Sequence, residues 1–175
     1  AKASSGYWDV FDPTNGYTAI HAVVAARLPL ESISQRYFFE TDMLFRLNTV
    51  RAVVKDVPMD AVYADEESHL KIGKVLPEFL RKHASRLWRR YVYSYLVRDF
   101  NVGSVYSLVG LVLLTFGLFF GLYGWISGVQ HAAPATSGTV MLAALPVIVG
   151  IQCWIAFLHH DVSNVPTEPL SGLLD

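Results

Sequence analysis

Two carboxylates stand two residues apart, Glu40 and Asp42, in the stretch FFETDMLFRL, with aromatic residues directly before them. A pair of this kind can bind a cation, orient a sugar hydroxyl, or take up a proton if burial raises a pKa. The alternative is a structural role, because Ser34 suits an N-cap and acidic residues in a first turn complement the helix dipole. The residues by themselves leave both interpretations open.

A turn rich in polar side chains supplies a second candidate site, in the stretch FDPTNGYTAIHA near the start of the chain. Asp12-Pro13 can initiate the turn, and Asn15-Gly16 supplies positions that tolerate positive φ. The aromatic residues around the turn either line a sugar pocket or simply pack on the fold. These aromatic residues are Tyr7, Trp8 and Phe11.

Three short elements are expected to position these residues. AIHAVVAARLPLE is predicted to form a short helix that stops near Pro29, and the segment after Ser34 a second helix. AVVKDVPMDAVYA has the β-branched residues of a strand, which Pro58 interrupts. The polar stretch DEESHLKIGK after it is predicted to be a loop.

A long uncharged segment predicts membrane-spanning helices in the last third of the chain. Hydrophobic residues make up 53 % of the sequence, and residues 102–158 contain no Asp, Glu, Lys or Arg. Two spans are predicted, 105–126 and 140–158, and the first would extend roughly 33 Å as a helix, enough for the hydrocarbon core. Because the linker between them is short, residues 102–158 are predicted to form a transmembrane hairpin.

The distribution of basic residues predicts an orientation. Eight of the 14 Lys and Arg residues fall between Lys71 and Arg98, and none follows Arg98. The positive-inside rule therefore predicts that residues 1–101 and the tail 159–175 are cytoplasmic, in a multi-pass protein of the cell inner membrane. The net charge of −1 argues against a nucleic-acid partner.

Residues 77–101 are predicted to form a basic amphipathic helix. Apolar residues recur at spacings of three and four on one face. The basic residues of the opposite face are Lys82, Arg86, Arg89 and Arg90. We expect the apolar face to lie in the headgroup boundary of a membrane; the alternative is a soluble helix that packs on a core. The arginines could also hold the phosphate of a lipid substrate, because guanidinium suits bidentate contacts.

Taken in order, these stretches resemble the C-terminal half of family 2 glycosyltransferases of the polyprenyl-phosphate type, the group that includes dolichyl-phosphate mannose synthases. The elements that carry the resemblance are NGYTAIHA, FFETDMLFRL, KDVPMDAVYA, EESHLKIGK and the membrane hairpin. Asp56 replaces the Glu that is usual there, and Glu66 and His69 stand where Gly and Lys are commoner. The resemblance implies an α/β fold, with residues 1–76 as the acceptor-side part of a GT-A-like nucleotide-diphospho-sugar transferase domain.

The resemblance also implies roles for individual residues. Glu40 and Asp42 would be catalytic, in the sense that they shape the site where sugar and acceptor meet. The residues that would bind substrate are Asp12, Asn15, Gly16 and Tyr17. The residues that would hold the acceptor phosphate are Ser68, His69, Lys71, Arg86 and Arg90.

By the same resemblance, the full enzyme transfers a sugar from a nucleotide-sugar donor to a polyprenyl phosphate. Its donor-binding half, with an Asp-x-Asp motif, has no counterpart in this sequence. We therefore expect Mg²⁺ or Mn²⁺ to bind on that absent half, no metal ligands in this chain, and no activity from the chain alone. The competing hypothesis is a noncatalytic membrane protein that anchors or recruits a partner through the basic helix and the hairpin. Association into homo-oligomers is left open.

Overall fold

The computed structural model describes residues 1–59 and 72–168, without the side chains of residues 72–74. The regular elements in these ranges are helical. The α-helices are α1 (Lys2–Ser5), α2 (Ala22–Ala25), α3 (Phe39–Thr49), α4 (Ile72–Tyr91), α5 (Val102–His131) and α6 (Ser137–Ser163). Two 3₁₀ turns lie at Leu30–Ser32 and Arg36–Phe38, and a π-helical stretch at Val92–Arg98 follows α4 directly.

The predicted α/β fold is wrong for the part of the chain that the structure describes, which holds helices and no strand. The expected strand AVVKDVPMDAVYA is described as far as Met59, and residues 52–59 have no regular structure; the rest lies outside the described residues. β-Branched residues such as Val53 and Val54 favour an extended chain, but a strand is stable only when it is paired in a sheet. No described segment pairs with residues 52–59, so local preference alone does not make a strand here.

The chain divides into two compact units. The N-terminal unit comprises residues 1–97 together with the residues from Asn164 onwards, and the hairpin unit comprises residues 98–163. The core of the N-terminal unit is formed by Tyr7, Val10, Leu28, Leu47 and Ala52. The hydroxyl of the fully buried Tyr7 donates a hydrogen bond to the carbonyl oxygen of Ala52, and burial raises the pKa of this phenol above its ordinary value.

The amphipathic helix α4 presents apolar side chains outward. It packs against α1 and α3, yet Leu80 is 62 % and Trp88 66 % exposed. Arg90 is buried, and Arg86 points to α3, where it meets a carboxylate. A helix on the surface of a soluble protein normally turns its apolar side to the core. In α4, by contrast, the side that carries Arg86 and Arg90 packs on the rest of the N-terminal unit. The apolar side of the helix is exposed.

Helices α5 and α6 pack against each other in the hairpin unit, and both are long and apolar enough to cross a membrane. The spans predicted at 105–126 and 140–158 lie within them. At the start of α5 the Asn101 side chain accepts a hydrogen bond from the backbone N–H of Ser104, and the Ser104 side chain accepts one from Asn101 in return. This capping box satisfies two N–H groups that the first turn leaves without helical partners.

Glycines set how closely these two helices approach. A Cβ atom on Gly117 would lie 2.7 Å from Cγ2 of Val147, and one on Gly150 would lie 2.8 Å from Cγ of Leu114. Both distances are too short for carbon atoms in contact. A Cβ on Gly124, by contrast, would lie 3.5 Å from the nearest atom, an ordinary contact. The close packing of the hairpin therefore depends on glycine at particular positions, as in small-residue helix interfaces of membrane proteins.

Candidate functional site

A groove of about 650 Å³ lies in the N-terminal unit. Three stretches that are far apart in sequence form it: the predicted turn with the residues after it, one face of α3, and residues 52–59. The lining is mainly apolar. The hydrogen-bonding side chains along it are Asp12, Asn15, Tyr17, Thr18, His21, Glu40, Lys55 and Asp56. A cavity of this size, mainly apolar with a few polar groups, is typical of small-molecule sites.

The predicted turn forms one wall of the groove and is held by its own side chains. Asp12 Oδ1 accepts hydrogen bonds from the Thr14 backbone N–H at 2.9 Å and from the Thr14 hydroxyl at 2.6 Å. The two bonds lower the pKa of Asp12 below its ordinary value, so this carboxylate remains ionised. Asn15 Oδ1 accepts from the backbone N–H of Tyr17 at 3.0 Å. Neither Asn15 nor Gly16 has a positive φ, so the turn does not use the backbone freedom that this pair allows.

Glu40 is the carboxylate of the predicted pair that borders the groove. It is half-buried, and a Cβ on Gly16 would lie 3.9 Å from its Oε1, so the turn passes directly beside it. Phe11 and Tyr17, on the turn side, are 88 % and 85 % exposed. The structure therefore brings Glu40 together with all four turn residues that the sequence assigned to substrate binding.

Asp56 borders the groove as well, although no site role was predicted for it from the sequence. Its Oδ2 accepts a hydrogen bond from the backbone N–H of Phe11 at 2.8 Å, which joins residues 52–59 to the turn. Next to it, the Lys55 ammonium lies 3.7 Å from a carboxylate oxygen of Asp9. Asp56 was visible in the sequence as a replacement within the KDVP stretch, but nothing in the local pattern showed that it faces the turn.

Asp42 does not line the groove. Its side chain is fully buried, with Oδ1 at 2.7 Å from Arg86 Nε and Oδ2 at 3.1 Å from Arg86 Nη2. The backbone N–H of Ser34 donates to Oδ2 at 2.7 Å, and Arg46 lies 3.7 Å away. The guanidinium of Arg86 also lies 5.4 Å from the ring centre of Phe45. These contacts join α3 to α4; the catalytic role of Asp42 stays a prediction.

The two carboxylates differ in environment because of helix geometry. Residues two apart on an α-helix are separated by about 200° around its axis. Glu40 and Asp42 are both within α3, so one side chain faces the groove and the other faces α4. Ser34 is not the N-cap of α3, because the helix follows Phe38 without a side-chain cap hydrogen bond, and the site role of the pair stays a prediction.

Three of the residues predicted to hold the acceptor phosphate, Ser68, His69 and Lys71, lie outside the described residues. The other two, Arg86 and Arg90, are described and do not line the groove. The guanidinium of Arg86 already binds Asp42. Arg90 is 5 % exposed. The phosphate role of all five residues stays a prediction.

The resemblance implies a divalent metal held by a donor-binding segment and not by these residues, and the described residues do not form a set of ligands for one. Within residues 1–59 and 72–168, no group of three or more His, Cys, Asp or Glu side chains is placed to hold a metal ion. The groove carboxylates are separately engaged, Asp12 with Thr14 and Asp56 with Phe11. The groove residues are therefore given no metal-binding role.

A second polar contact lies away from the groove, where α1 meets α4. His83 Nδ1 lies 2.8 Å from the Ser4 hydroxyl oxygen, and its ring meets the ring of Phe38 edge-on, with centres 5.0 Å apart. Burial lowers the pKa of His83 below its ordinary value of 6.5. The neutral imidazole is therefore the form that the folded unit prefers.

Lowering the pH from about 7.5 to about 5.5 should reduce the free energy of unfolding of the N-terminal unit. As the pH falls, His83 takes up a proton in the unfolded chain before it does so in the folded one. The contribution of His83 to the free energy of unfolding is thus fully present above a pH of about 6.5. It is lost as the pH falls through the folded-state pKa of His83. Thermal unfolding in detergent micelles at both pH values measures the effect. His83→Gln should weaken the pH dependence, and a variant with the same pH dependence as the parent would contradict the assignment.

Comparisons with protein-family models, with curated proteins and with solved structures found no match to this chain. A function for this chain therefore has to be inferred from the groove and its contacts.

Proposed function

We propose that this chain forms the membrane-anchored acceptor side of a glycosyltransferase, which transfers a sugar from a nucleotide-sugar donor to a polyprenyl phosphate. The observation that carries the proposal is the groove. The turn in DPTNGY, the acidic element in FFETDM and the KDVP stretch are the segments on which the resemblance rests, and all three border it. A noncatalytic anchor would not need these segments to meet.

The groove supplies groups suited to a sugar. Glu40 is half-buried, and a carboxylate in such a position can accept hydrogen bonds from two neighbouring hydroxyl groups. Asp12 stays ionised and Asn15 adds an amide, both at the turn. The exposed ring of Tyr17, which lines the groove, offers an apolar face for the C–H side of a pyranose ring. These groups position the sugar beside the incoming acceptor.

The acceptor makes little demand for a strong general base. A phosphate monoester is already an anion at pH 7, because its second pKa is about 6. Its oxygen can attack the sugar carbon directly while the nucleotide diphosphate leaves. In this proposal Glu40 orients the sugar, and the nucleotide is held by a donor-binding segment outside the groove, in the same protein or a partner.

The hairpin gives this chemistry access to a lipid-linked acceptor. A polyprenyl chain lies within the bilayer, with its phosphate at the interface, and α5 and α6 are long and apolar enough to cross the same bilayer. The open apolar side of α4, with Leu80 and Trp88, suits a helix that lies in the headgroup region. Because eight of the 14 Lys and Arg residues precede the first span closely and none follows it, the proposal places the N-terminal unit in the cytoplasm, at the inner membrane.

Glu40→Gln should reduce sugar transfer by about 10- to 100-fold, since a hydrogen bond to a charged group is worth roughly 1.5–3 kcal/mol. Membranes from cells that express the full gene product are incubated with a short-chain polyprenyl phosphate and with radiolabelled UDP-glucose or GDP-mannose. The label that enters the organic-solvent phase measures transfer.

The matched control for this experiment is Glu31→Gln, at an exposed position outside the groove. It should transfer at the parent rate, and membrane fractions of all variants should contain equal amounts of protein. Equal transfer by the parent and Glu40→Gln would exclude the role of Glu40. Absence of transfer by the parent with every nucleotide sugar would favour the noncatalytic anchor.

A further inference from the structure

One polar side chain interrupts the exposed surface of α6 within the apolar span 140–158. Gln152 lies near the middle of this 27-residue helix, about 9 Å from the nearer end of the apolar span 140–158 at 1.5 Å per residue. Its side chain is exposed on the protein surface. The span on both sides of it is apolar.

Gln152 faces away from α5. Gly150 is buried in the contact with α5, where a Cβ would lie 3.0 Å from the backbone nitrogen of Leu114. Gln152 follows Gly150 by two residues, which is about 200° around the helix. Its carboxamide is therefore on the side of α6 that no other part of the hairpin covers.

A carboxamide at this depth of a membrane needs a partner. Gln152 forms no side-chain hydrogen bond within the described hairpin, and hydrocarbon offers neither donors nor acceptors. The amide is also self-complementary, because one oxygen accepts while one NH₂ group donates. Two such groups that meet across a two-fold axis can satisfy each other.

The residues around Gln152 form a seam with heptad spacing. Exposed side chains recur at intervals of four, three, four and three residues along this side of α6. They are Met141, Leu145, Ile148, Gln152 and Ile155. An apolar seam of this spacing packs against a like helix, and a single polar amide within it fixes the register and the number of helices.

We propose that α6 is a dimerisation helix, which pairs along this seam with α6 of a second copy through a Gln152–Gln152 hydrogen bond. A symmetric pair of this kind uses the same surface on both copies. The inference requires that the hairpin crosses a membrane, and it is independent of sugar transfer.

Disulfide cross-linking tests the geometry of the seam. The native Cys153 is first replaced by Ser, and single cysteines are then introduced in the full chain in liposomes. Ile148→Cys and Ile155→Cys, on the seam, should form dimers rapidly under mild oxidation. Leu158→Cys is the matched control, because this residue is comparably exposed but lies about 120° around the helix from Gln152. Equal cross-linking at all three positions, or cross-links to another protein in cell membranes, would overturn the proposal.

Energy transfer between labelled copies tests the role of the amide. Gln152→Leu should weaken association in liposomes by about 3- to 30-fold, the range expected for a hydrogen bond between membrane helices. Gln152→Asn, which keeps the carboxamide, should retain more of the association than Gln152→Leu. Gln130→Leu, near the end of α5, should have no effect. A parent chain that stays monomeric at every protein-to-lipid ratio, while resisting carbonate extraction from the membrane, would refute dimerisation without touching the proposed activity.

Discussion

Asp42→Asn is expected to destabilise the N-terminal unit by about 3–5 kcal/mol, the usual cost of removing one partner from a buried ion pair. The Asp42 side chain is fully buried and that of Arg86 is 15 % exposed. Without the carboxylate, the guanidinium between α3 and α4 would remain charged and uncompensated. Urea unfolding in detergent micelles, followed by tryptophan fluorescence, measures the loss.

Two further variants separate this ion pair from a catalytic role. Glu40→Gln, two residues away on the groove side of α3, should change stability by only about 0.5 kcal/mol, as is usual for a position without buried partners. The double variant Asp42→Leu with Arg86→Met should recover much of the stability, because apolar residues often replace a buried ion pair without net loss. If Asp42→Asn folds as stably as the parent and loses sugar transfer, Asp42 acts on the substrate as the sequence predicted.

Gly117→Ala should destabilise the packing of α5 against α6 by about 1–3 kcal/mol, the usual cost of overpacking a tight contact. The added methyl group would lie 2.7 Å from Val147 Cγ2 and 2.8 Å from the carbonyl oxygen of Ala143. Because the second contact is with backbone, a side-chain rotation cannot relieve it and the helices must separate. Titration of micelles with SDS, with energy transfer between labels at the two helix ends, reports the separation.

The control for Gly117→Ala is the same substitution at Gly124. There the new methyl group would meet Thr139 Cγ2 at 3.5 Å, an ordinary contact. In Gly124→Ala, α5 and α6 should therefore separate at the same SDS concentration as in the parent or at a higher one, since alanine has a higher helix propensity than glycine. Identical behaviour of the two variants would mean that the close approach at Gly117 is not maintained in solution.

The pair of long apolar helices could be predicted from composition, whereas the α/β fold predicted for residues 1–76 was wrong. An uncharged segment long enough for two spans has few stable settings other than a bilayer, so residues 102–158 predicted the elements α5 and α6 within a few residues. The strand in AVVKDVPM was predicted from local preference. Local preference decides little for strands, because pairing with another segment supplies most of their stability.

The candidate site was predictable in part, and the limit lies in long-range contacts. The sequence identified Glu40, Asp42 and the turn, but it marked the two carboxylates equally. Their environments differ because Arg86, which lies 44 residues from Asp42 in sequence, donates a hydrogen bond to the Asp42 carboxylate. The contact between Asp56 and Phe11, 45 residues apart, was hidden for the same reason. A pattern within one stretch does not contain these pairings.

The two-sided character of α3 has a consequence for how this protein can evolve. Glu40, on the groove side, lies about 200° around α3 from Asp42 and its ion pair on the other side. Mutational effects on the two sides should be nearly additive, because the residues share no partners. Substitutions at Glu40 can then change which molecule is accepted while the contact between α3 and α4 keeps its stability.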